Sequence, residues 1–338
     1  MTNQNAEMMR GIYYDGTRAV YREDLPVPEP EDGHSRIRIL YANICSTDKE
    51  ILRGYRPDFR GIMGHEFVGI VDKTKTPSLQ GRLVTGELNE GCGHCLYCRS
   101  GREKHCPERK VIGLSKDGCF AEYMILADHL IHPVPEGLPP EKAVYTEPLA
   151  AALEIPSMVH IDPAKKTAVV GDGRLAFMIA QVLSLSGAPL TVIGKHEEKL
   201  AAFAPFAHTR LIDSFHFGHA EDGVDEPPMD RIDEDTYEVI VEASGSPSGL
   251  ALASRIIRRQ GTIVLKSTYA GKLSLDMSHF VVNEITIKGS RCGPFEPALN
   301  LLQRGLIRLP QAQWHDLKDY EAAFASKAFK AGFRIAEE

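Results

Sequence analysis

Four closely spaced cysteines are the strongest chemical signal in the sequence. They follow the pattern C-x2-C-x2-C-x7-C and are Cys92, Cys95, Cys98 and Cys106. Four thiolates at this spacing can close a tetrahedral shell around a structural Zn²⁺ ion. An iron–sulfur cluster is the alternative, because bacterial ferredoxins carry a similar run that also ends in Cys-Pro. The longer last gap and the lack of a second cluster motif in the sequence favour zinc.

A second set of candidate metal ligands is spread along the chain. It comprises the thiol of Cys45, the adjacent imidazole and carboxylate of His65 and Glu66, and the carboxylate of Glu147. Thiolate, imidazole and carboxylate groups are the ligands of catalytic zinc sites. Each residue also has an ordinary interpretation, as a small core thiol, a core histidine or a carboxylate at a helix N-terminus. The residues alone leave both interpretations open.

A glycine-rich turn indicates a dinucleotide-binding site. The segment Gly171-Asp172-Gly173-Arg174-Leu175-Ala176 follows an apolar run, opens a helical pattern and reads G-x-G-x-x-A. In such a turn Gly171 permits the bend, Gly173 lets the backbone approach a pyrophosphate, and Ala176 keeps helix and strand close. The phosphates are favoured at the helix N-terminus. The strand-turn-helix context makes the motif specific.

The end of the next predicted strand bears on the choice of cofactor. NAD sites usually end this strand with a carboxylate that binds the ribose 2′-hydroxyl. Here the strand ends in Gly194-Lys195-His196, so Gly194 leaves room for a 2′-phosphate and Lys195 is placed to pair with it. The alternative is that Lys195 is only solvated and that Glu197 or Glu198 serves the ribose. A lysine in place of the usual carboxylate at the end of this strand favours NADP.

The elements that position these groups are predicted by two different sequence patterns. About the first 150 residues are rich in glycine, proline and short alternating runs such as 35–40, which is typical of half-buried strands in a barrel or folded sheet. From Thr167 onward, short apolar runs alternate with helical patterns. This alternation predicts an α/β fold with a parallel sheet that is covered on both faces. The predicted strands are 167–170, 190–193, 237–241, 261–265 and 285–287.

Composition excludes several classes of protein. The 338 residues include 39 Lys plus Arg and 46 Asp plus Glu, a net charge of −7, so the chain lacks the basic excess of a sequence-independent nucleic-acid binder. The segment 221–235 alone carries eight acidic residues and one Arg and is predicted to be a solvated loop. No apolar stretch is long enough to span a membrane, and no secretory signal is recognised.

The cysteines number seven, an odd count, and four of them lie between positions 92 and 106. This favours metal ligation in a reducing cytoplasm over disulfides.

Together these motifs resemble the zinc-containing medium-chain dehydrogenase/reductase family, which is alcohol dehydrogenase-like. The resemblance runs from about Arg10 to the C-terminus. It implies a β-rich GroES-like catalytic domain over 1–147 with a zinc lobe at about 90–108, and a Rossmann domain with a doubly wound parallel sheet over 148–288. Residues 289–338 would then return to the catalytic domain. The motifs that carry the resemblance are 45–48, 64–69, the four cysteines, 118–123, 147–150 and the glycine turn.

The resemblance also implies roles for individual residues. Catalytic zinc would be bound by Cys45, by His65 and by one or both of Glu66 and Glu147. A carboxylate-rich shell of this kind resembles the polyol, sugar and threonine dehydrogenase branch. Thr47 would hydrogen-bond the alcohol oxygen and pass on its proton, with Glu50 at a relay position that is often His. Less specifically, the resemblance implies cofactor contacts for Ser244, Ser267 and Arg291. The alternative is that they are ordinary polar loop residues without a role in binding.

The resemblance therefore predicts a zinc-dependent oxidoreductase. It would transfer a hydride between a small secondary alcohol, polyol or sugar-like, and a nicotinamide cofactor, as a homodimer or homotetramer. Two alternatives stay open: a zinc-independent quinone or enone reductase of the same superfamily, and a cofactor-binding protein without turnover. The zinc ligands and Thr47 argue against both alternatives.

Overall fold

The chain folds into two compact units. The computed structural model describes residues 7–212, 236–268 and 273–337. The first unit comprises residues 1–150 and 294–338, and the second comprises residues 151–293. The predicted acidic loop at 221–235 lies outside the described residues. No helix in the described ranges is long and apolar enough to cross a lipid bilayer.

The strands and helices are numbered in chain order. The strands before the second unit are β1 (Met8–Tyr14), β2 (Ala19–Pro26), β3 (His34–Asn43), β4 (Gly61–Ile62), β5 (Glu66–Lys73), β6 (Leu83–Gly86), β7 (Asn89–Glu90), β8 (Lys110–Val111), β9 (Tyr123–Ala127) and β10 (Ile131–Pro133). The helices in this part are α1 (Ser46–Leu52), α2 (Leu96–Arg99), α3 (Pro140–Ala143) and α4 (Thr146–Met158). The first unit resumes with α9 (Phe295–Gln303), β17 (Ala312–His315), α10 (Tyr320–Ala325) and β18 (Lys330–Arg334). Its short 3-10 helices are Glu103–His105, Asp128–Leu130 and Leu317–Asp319.

The second unit alternates strands and helices, as the apolar runs predict. Its elements are β11 (Thr167–Val170), α5 (Arg174–Ser184), β12 (Leu190–Gly194), α6 (Glu197–Leu200), β13 (His208–Leu211), β14 (Tyr237–Glu242), α7 (Pro247–Ile256), β15 (Ile257–Leu265), α8 (Met277–Val282) and β16 (Thr286–Gly289). Each of the five predicted strands corresponds to a strand. The fourth begins earlier than predicted, at Ile257.

The sheet of the second unit has the Rossmann order. Its strands run β13-β12-β11-β14-β15-β16, and every neighbouring pair is parallel. In order of appearance this is 3-2-1-4-5-6, which places a topological switch point between the first and fourth strands. Ligands of such sheets bind beyond the carboxyl ends of the strands at that point. The α/β Rossmann prediction is confirmed.

The first unit is β-rich. Its larger sheet runs β10-β6-β5-β3-β18-β17, with β9 also paired to β3, and a smaller sheet runs β2-β1-β4. Strand β3 pairs with β5 in antiparallel fashion, with Asn43 opposite Glu66. Because the pair is antiparallel, the end of β3 meets the beginning of β5. The segments 44–45 and 64–66 are thereby brought together.

Candidate active site

The sheet register brings Cys45 to His65. Cys45 follows β3 and stands at the N-terminus of α1, while His65 directly precedes β5. The amide of Ile44 donates to the carbonyl of Ala331 on β18, which fixes the chain where it leaves the sheet. Two residues that are twenty positions apart in sequence thus share one corner of the first unit.

A three-residue ligand group lies at this corner. One ligand atom from each of Cys45, His65 and Glu66 can be chosen so that all lie within 4.8 Å of one another, with His65 and Glu66 buried. Thiolate, imidazole and carboxylate donors at that separation suit Zn²⁺. Glu147 is half-buried at the start of α4 and is not part of this group. Of the two candidate carboxylates, the geometry favours Glu66.

Asp48 contacts two members of this group, although the sequence motifs do not single it out. Its carboxylate is fully buried, and Oδ2 accepts a hydrogen bond from the amide of Cys45 at 2.7 Å. Its other oxygen, Oδ1, lies 3.4 Å from Nδ1 of His65. Burial lowers the pKa of His65, but the Asp48 carboxylate and the Cys45 thiol outweigh it, so this pKa is raised well above its ordinary value. A carboxylate behind Nδ1 leaves Nε2 for a metal, the usual arrangement of zinc-binding histidines.

Lys330 is a second missed residue. Its Nζ donates to Oε2 of Glu66 at 2.5 Å, and the two side chains are only 6% and 2% exposed. The contact joins residues 264 positions apart, which is why no local pattern could indicate it. Lys330 compensates the charge of one carboxylate oxygen of Glu66 in a buried place, where an unpaired carboxylate is costly.

Close backbone packing supports the ligand pair. Gly64 has a φ of +92°, and a Cβ atom there would lie 2.3 Å from the ring of Phe120. The amides of Cys119 and Phe120 donate to the carbonyls of Gly64 and Met63, and the Cys119 thiol contacts the carbonyl of Glu66 at 3.7 Å. Phe120 packs edge-on against Phe333 in the core. The motif at 118–120 therefore forms the support of His65 and Glu66.

The two predicted relay residues differ in environment. Thr47 is half-buried on α1, and its hydroxyl lies 3.9 Å from the Cys45 sulfur. Glu50 lies one turn further along the helix, is 47% exposed, and accepts a hydrogen bond from Arg53 at 2.6 Å. Thr47 thus lies beside the ligand group, whereas the Glu50 carboxylate is engaged with a surface arginine. The Glu50 relay role stays a prediction.

The four cysteines form one cluster. Their sulfur atoms all lie within 4.8 Å of one another, with Cys92 and Cys95 4.0 and 3.5 Å from Cys98. Sulfur atoms around one tetrahedral zinc ion are about 3.8 Å apart, given a Zn–S bond of about 2.3 Å. The backbone amide of Cys98 lowers the pKa of Cys95 to about 7, which favours its thiolate. This donor set fits a structural zinc ion.

The glycine turn has the geometry that a dinucleotide site needs. Gly171 has a φ of +127°, and a Cβ atom there would lie 2.6 Å from the carbonyl of Ala243 after β14. Gly173 is the N-cap of α5 and makes no side-chain capping hydrogen bond. Ala176 is fully buried against the sheet. The turn lies between β11 and β14, at the switch point of the sheet, where the N-terminus of a helix suits a pyrophosphate.

Asp172, the variable residue inside this turn, proves to be structural. Its Oδ2 accepts hydrogen bonds from the amides of Lys195 and His196 at 2.7 and 2.9 Å and contacts Nδ1 of His196 at 2.9 Å. Burial raises the pKa of Asp172, but the hydrogen bonds from His196 and Lys195 outweigh it and lower this pKa. A Cβ atom on Gly194 would lie 2.7 Å from the Asp172 side chain. The Asp172 side chain therefore explains why position 194 is a glycine. A role of Gly194 in admitting a 2′-phosphate stays a prediction.

The remaining cofactor candidates cluster around a buried carboxylate at the end of β14. Glu242 is fully buried, and its Oε1 accepts hydrogen bonds from the hydroxyls of Ser244 at 2.5 Å and Ser267 at 3.3 Å. Both serines thus order the loops beyond the sheet. Lys266 contacts Ser290 at 3.1 Å and the carbonyl of Arg291, and Arg291 is exposed. Glu242 and Lys266 are further residues that sequence reasoning missed.

Comparisons with known proteins agree with the fold and the site. The alcohol dehydrogenase GroES-like domain matches residues 31–136, and the zinc-binding dehydrogenase domain matches residues 175–304. Sorbitol dehydrogenase of Halalkalibacterium halodurans is 27% identical, with 95% of each chain covered. L-threonine 3-dehydrogenase of Pyrococcus horikoshii is 29% identical over 92% of this chain and 94% of the relative. The solved L-idonate 5-dehydrogenase of Escherichia coli superposes with a TM-score of 0.84 at 20% identity, over 98% and 99% of the two chains.

A Rossmann sheet and a β-rich unit with zinc-type ligands define a zinc-dependent, NAD(P)-dependent dehydrogenase of the alcohol dehydrogenase type. The chain belongs to the zinc-containing medium-chain dehydrogenase/reductase family, and its pattern is that of the polyol and threonine dehydrogenase branch. The family resemblance noted in the sequence is confirmed.

Proposed function

We propose that the protein oxidises a small secondary alcohol, polyol or sugar-like, with NADP, or reduces the matching carbonyl compound. The observation that carries this proposal is the buried corner where Cys45, His65 and Glu66 offer ligand atoms within 4.8 Å of one another. Support for the substrate class comes from the carboxylate in that group and from relatives that act on sorbitol and L-threonine.

Cys45, His65 and Glu66 are proposed to hold the catalytic zinc ion. A zinc ion bound there would supply Lewis-acid chemistry, which lets an alcohol hydroxyl lose its proton near neutral pH. Asp48 holds the His65 ring so that Nε2 faces the metal. The resemblance also implies Glu147 as a possible ligand, but Glu147 lies outside the group that the structure brings together.

Thr47 is proposed to move the proton. Its hydroxyl lies on the first turn of α1, 3.9 Å from the Cys45 sulfur, so it can accept a hydrogen bond from an alcohol that enters the same corner. A threonine hydroxyl both donates and accepts, and it can therefore pass the proton on to water or to Glu50. A nicotinamide cofactor bound at the glycine turn would supply the acceptor for the hydride of the carbinol carbon.

The second proposed zinc ion is structural. Cys92, Cys95, Cys98 and Cys106 would hold it with no open position for substrate. The proposal therefore implies two zinc ions per chain, one at each cluster.

The preference for NADP is proposed from charge at the end of β12. Lys195 and His196 are exposed there, whereas Glu197 and Glu198 lie in the first turn of α6. The Asp172 carboxylate is turned onto the amides of residues 195 and 196, so it is not directed at a ribose hydroxyl. The cationic side chain of Lys195, with the His196 ring beside it, suits a 2′-phosphate.

Replacing Lys195 with alanine is expected to weaken NADP use selectively. Loss of a hydrogen bond to a charged group costs about 1.5 kcal/mol or more, so the KM for NADP should rise about tenfold. The KM for NAD should change little. Lys165→Ala is the matched control. Lys165 precedes the first residue of β11, at the end of the strand away from the glycine turn, and its Nζ lies 2.8 Å from Oε1 of Glu238. Equal losses with both cofactors would count against a phosphate contact.

A substrate panel tests the proposed reaction. Polyols, sugar-derived secondary alcohols and 3-hydroxy amino acids, with their carbonyl counterparts, would be assayed with NADP and NAD in parallel. Zinc-dependent oxidation of at least one secondary alcohol is expected, at a higher kcat/KM with NADP. Reduction of conjugated alkenes that survives chelation would favour the zinc-independent reductase. Tight NADPH binding without turnover on the whole panel would favour a binding protein.

A homo-oligomer is proposed from the edge of the sheet in the second unit. Among the described residues, β16 is the last strand of the sheet, and Val281 and Val282 on the preceding helix are 75% and 79% exposed. An edge strand beside exposed apolar side chains invites pairing with a second copy. Sedimentation of the full chain should give a dimer or tetramer, and Ile287→Lys on β16 should shift it towards monomer. A monomeric wild-type chain would contradict the proposal.

A further inference from the structure

A second ligand group lies on the surface of the four-cysteine lobe. One atom from each of Cys92, His94 and Glu108 can be chosen so that all lie within 4.8 Å of one another. Nε2 of His94 lies 4.0 Å from Oε1 of Glu108, and these side chains are 74% and 66% exposed. Ligand atoms around one zinc ion with bonds of about 2.0–2.1 Å lie about 3.3 Å apart, so small side-chain movements would close the group. Nothing in the proposed reaction uses His94 or Glu108.

The ring of His94 is already held in a metal-binding orientation. Its Nδ1 lies 2.8 Å from the carbonyl oxygen of Cys92. A carbonyl oxygen only accepts hydrogen bonds, so Nδ1 carries the proton and Nε2 keeps its lone pair in the neutral ring. Gly93, with a φ of +76°, lets the chain turn so that His94 faces back to Cys92. Metal-binding histidines usually donate their other ring N–H to a carbonyl in this way.

Cys92 belongs to both groups. Its sulfur lies 4.0 Å from that of Cys98, inside the four-cysteine cluster. Cys98 and Cys106 are buried, whereas Cys92 is half-buried. A hydrated zinc ion can therefore reach the half-buried sulfur of Cys92 from the side of His94 and Glu108 without first reaching the buried thiols.

We infer that Cys92, His94 and Glu108 form an entry site that captures Zn²⁺ and passes it to the four-cysteine cluster. The inference rests on the proposed structural zinc. During transfer the Cys92 sulfur stays bound. The bonds to His94 Nε2, to Glu108 and to the remaining water break as bonds to the sulfurs of Cys95, Cys98 and Cys106 form, and the water returns to solvent. Each of these thiols that is protonated releases its proton to water as it binds. No electron is transferred, and the same path serves release in reverse.

Zinc exchange in the intact holoenzyme tests this entry site. The holoenzyme would be mixed with isotopically enriched zinc, and its isotope ratio followed over time by native mass spectrometry. Zinc exchange at the two sites should give two kinetic phases. The Cys45→Ala chain is expected to hold zinc only at the four-cysteine cluster, so the phase that it retains belongs to that cluster. In the double variant His94→Ala with Glu108→Gln, this phase should slow about tenfold, the lower end of the effect expected from removing groups that support a metal site. The final zinc content of the cluster should stay unchanged.

A matched control keeps the result specific. His129 is 56% exposed and lies 3.0 Å from Glu103, but this pair is not part of a ligand group with a cysteine among the described residues. His129→Ala should leave the exchange rate unchanged. Exchange of the double variant at the wild-type rate would overturn the entry site, as would a loss of zinc from its cluster at equilibrium. A wild-type cluster that holds no zinc would overturn the proposed structural zinc as well, which separates the two failures.

Discussion

Replacing Cys45 with alanine is expected to remove one zinc ion per chain and to lower kcat/KM by about three orders of magnitude or more. The estimate follows from Lewis-acid stabilisation of several kcal/mol, because about 1.4 kcal/mol of barrier corresponds to a tenfold change in rate. Cys45 is half-buried at a helix N-terminus, and alanine fits there without strain. Zinc content by mass spectrometry and steady-state kinetics on the same samples measure both effects.

Two glutamate variants sharpen this prediction. Glu66→Gln should also lose the site zinc, since Glu66 belongs to the ligand group with Cys45 and His65. Glu147→Gln is the matched control and should keep that zinc. In all these variants the four-cysteine cluster should keep its own zinc ion. A Cys45→Ala chain that retains both zinc ions, or a Glu147→Gln chain that loses one, would refute this assignment of the ligands.

Replacing Lys330 with methionine is expected to destabilise the protein strongly. Lys330 and Glu66 form a buried ion pair at 2.5 Å, and removing one partner of such a pair costs about 3–5 kcal/mol because the other charge stays buried. The midpoint of denaturant-induced unfolding should fall accordingly. The effect is measured in the Cys45→Ala background, where no zinc ion at the site compensates Glu66. The physical reason is then the uncompensated Glu66 carboxylate, because methionine retains most of the volume of the lysine chain.

A double-mutant cycle separates this charge effect from lost packing. Glu66→Gln removes the carboxylate charge, so the double variant with Lys330→Met should be destabilised by less than the sum of the two single changes. Unfolding midpoints of the four chains provide the test, all measured in the Cys45→Ala background, where the site zinc is absent and its loss through Glu66→Gln cannot contribute. Strictly additive losses would show that the ion pair carries no coupling, contrary to the prediction.

Local patterns predicted the scaffold well because the forces that form it are local. Apolar runs such as 167–170 predicted β11, and the glycine turn after it lies at the switch point of the sheet. Cys92 to Cys106 lie within one loop-rich segment, so their spacing alone could predict one cluster. In each case the information lies within about fifteen neighbouring residues.

The supporting residues of the site could not be predicted in the same way. Lys330 reaches Glu66 across 264 positions, and this contact depends on strand β18 returning beside β3. Asp172 is a variable position of the glycine motif, and only the sheet brings it to residues 195 and 196. The pairing of Cys45 with His65 was expected from family resemblance, whereas its physical cause is the antiparallel register of β3 and β5.

Chelation of the wild-type protein, with zinc content and activity followed together, distinguishes the roles of the two proposed zinc ions. The ion at Cys45, His65 and Glu66 is expected to be required for hydride transfer, and the second ion only to stabilise the four-cysteine lobe. Activity should fall in proportion as the first of two zinc ions is removed, and it should return when one equivalent of Zn²⁺ is added. A fully active protein with a single zinc ion, held by the four cysteines, would contradict the account.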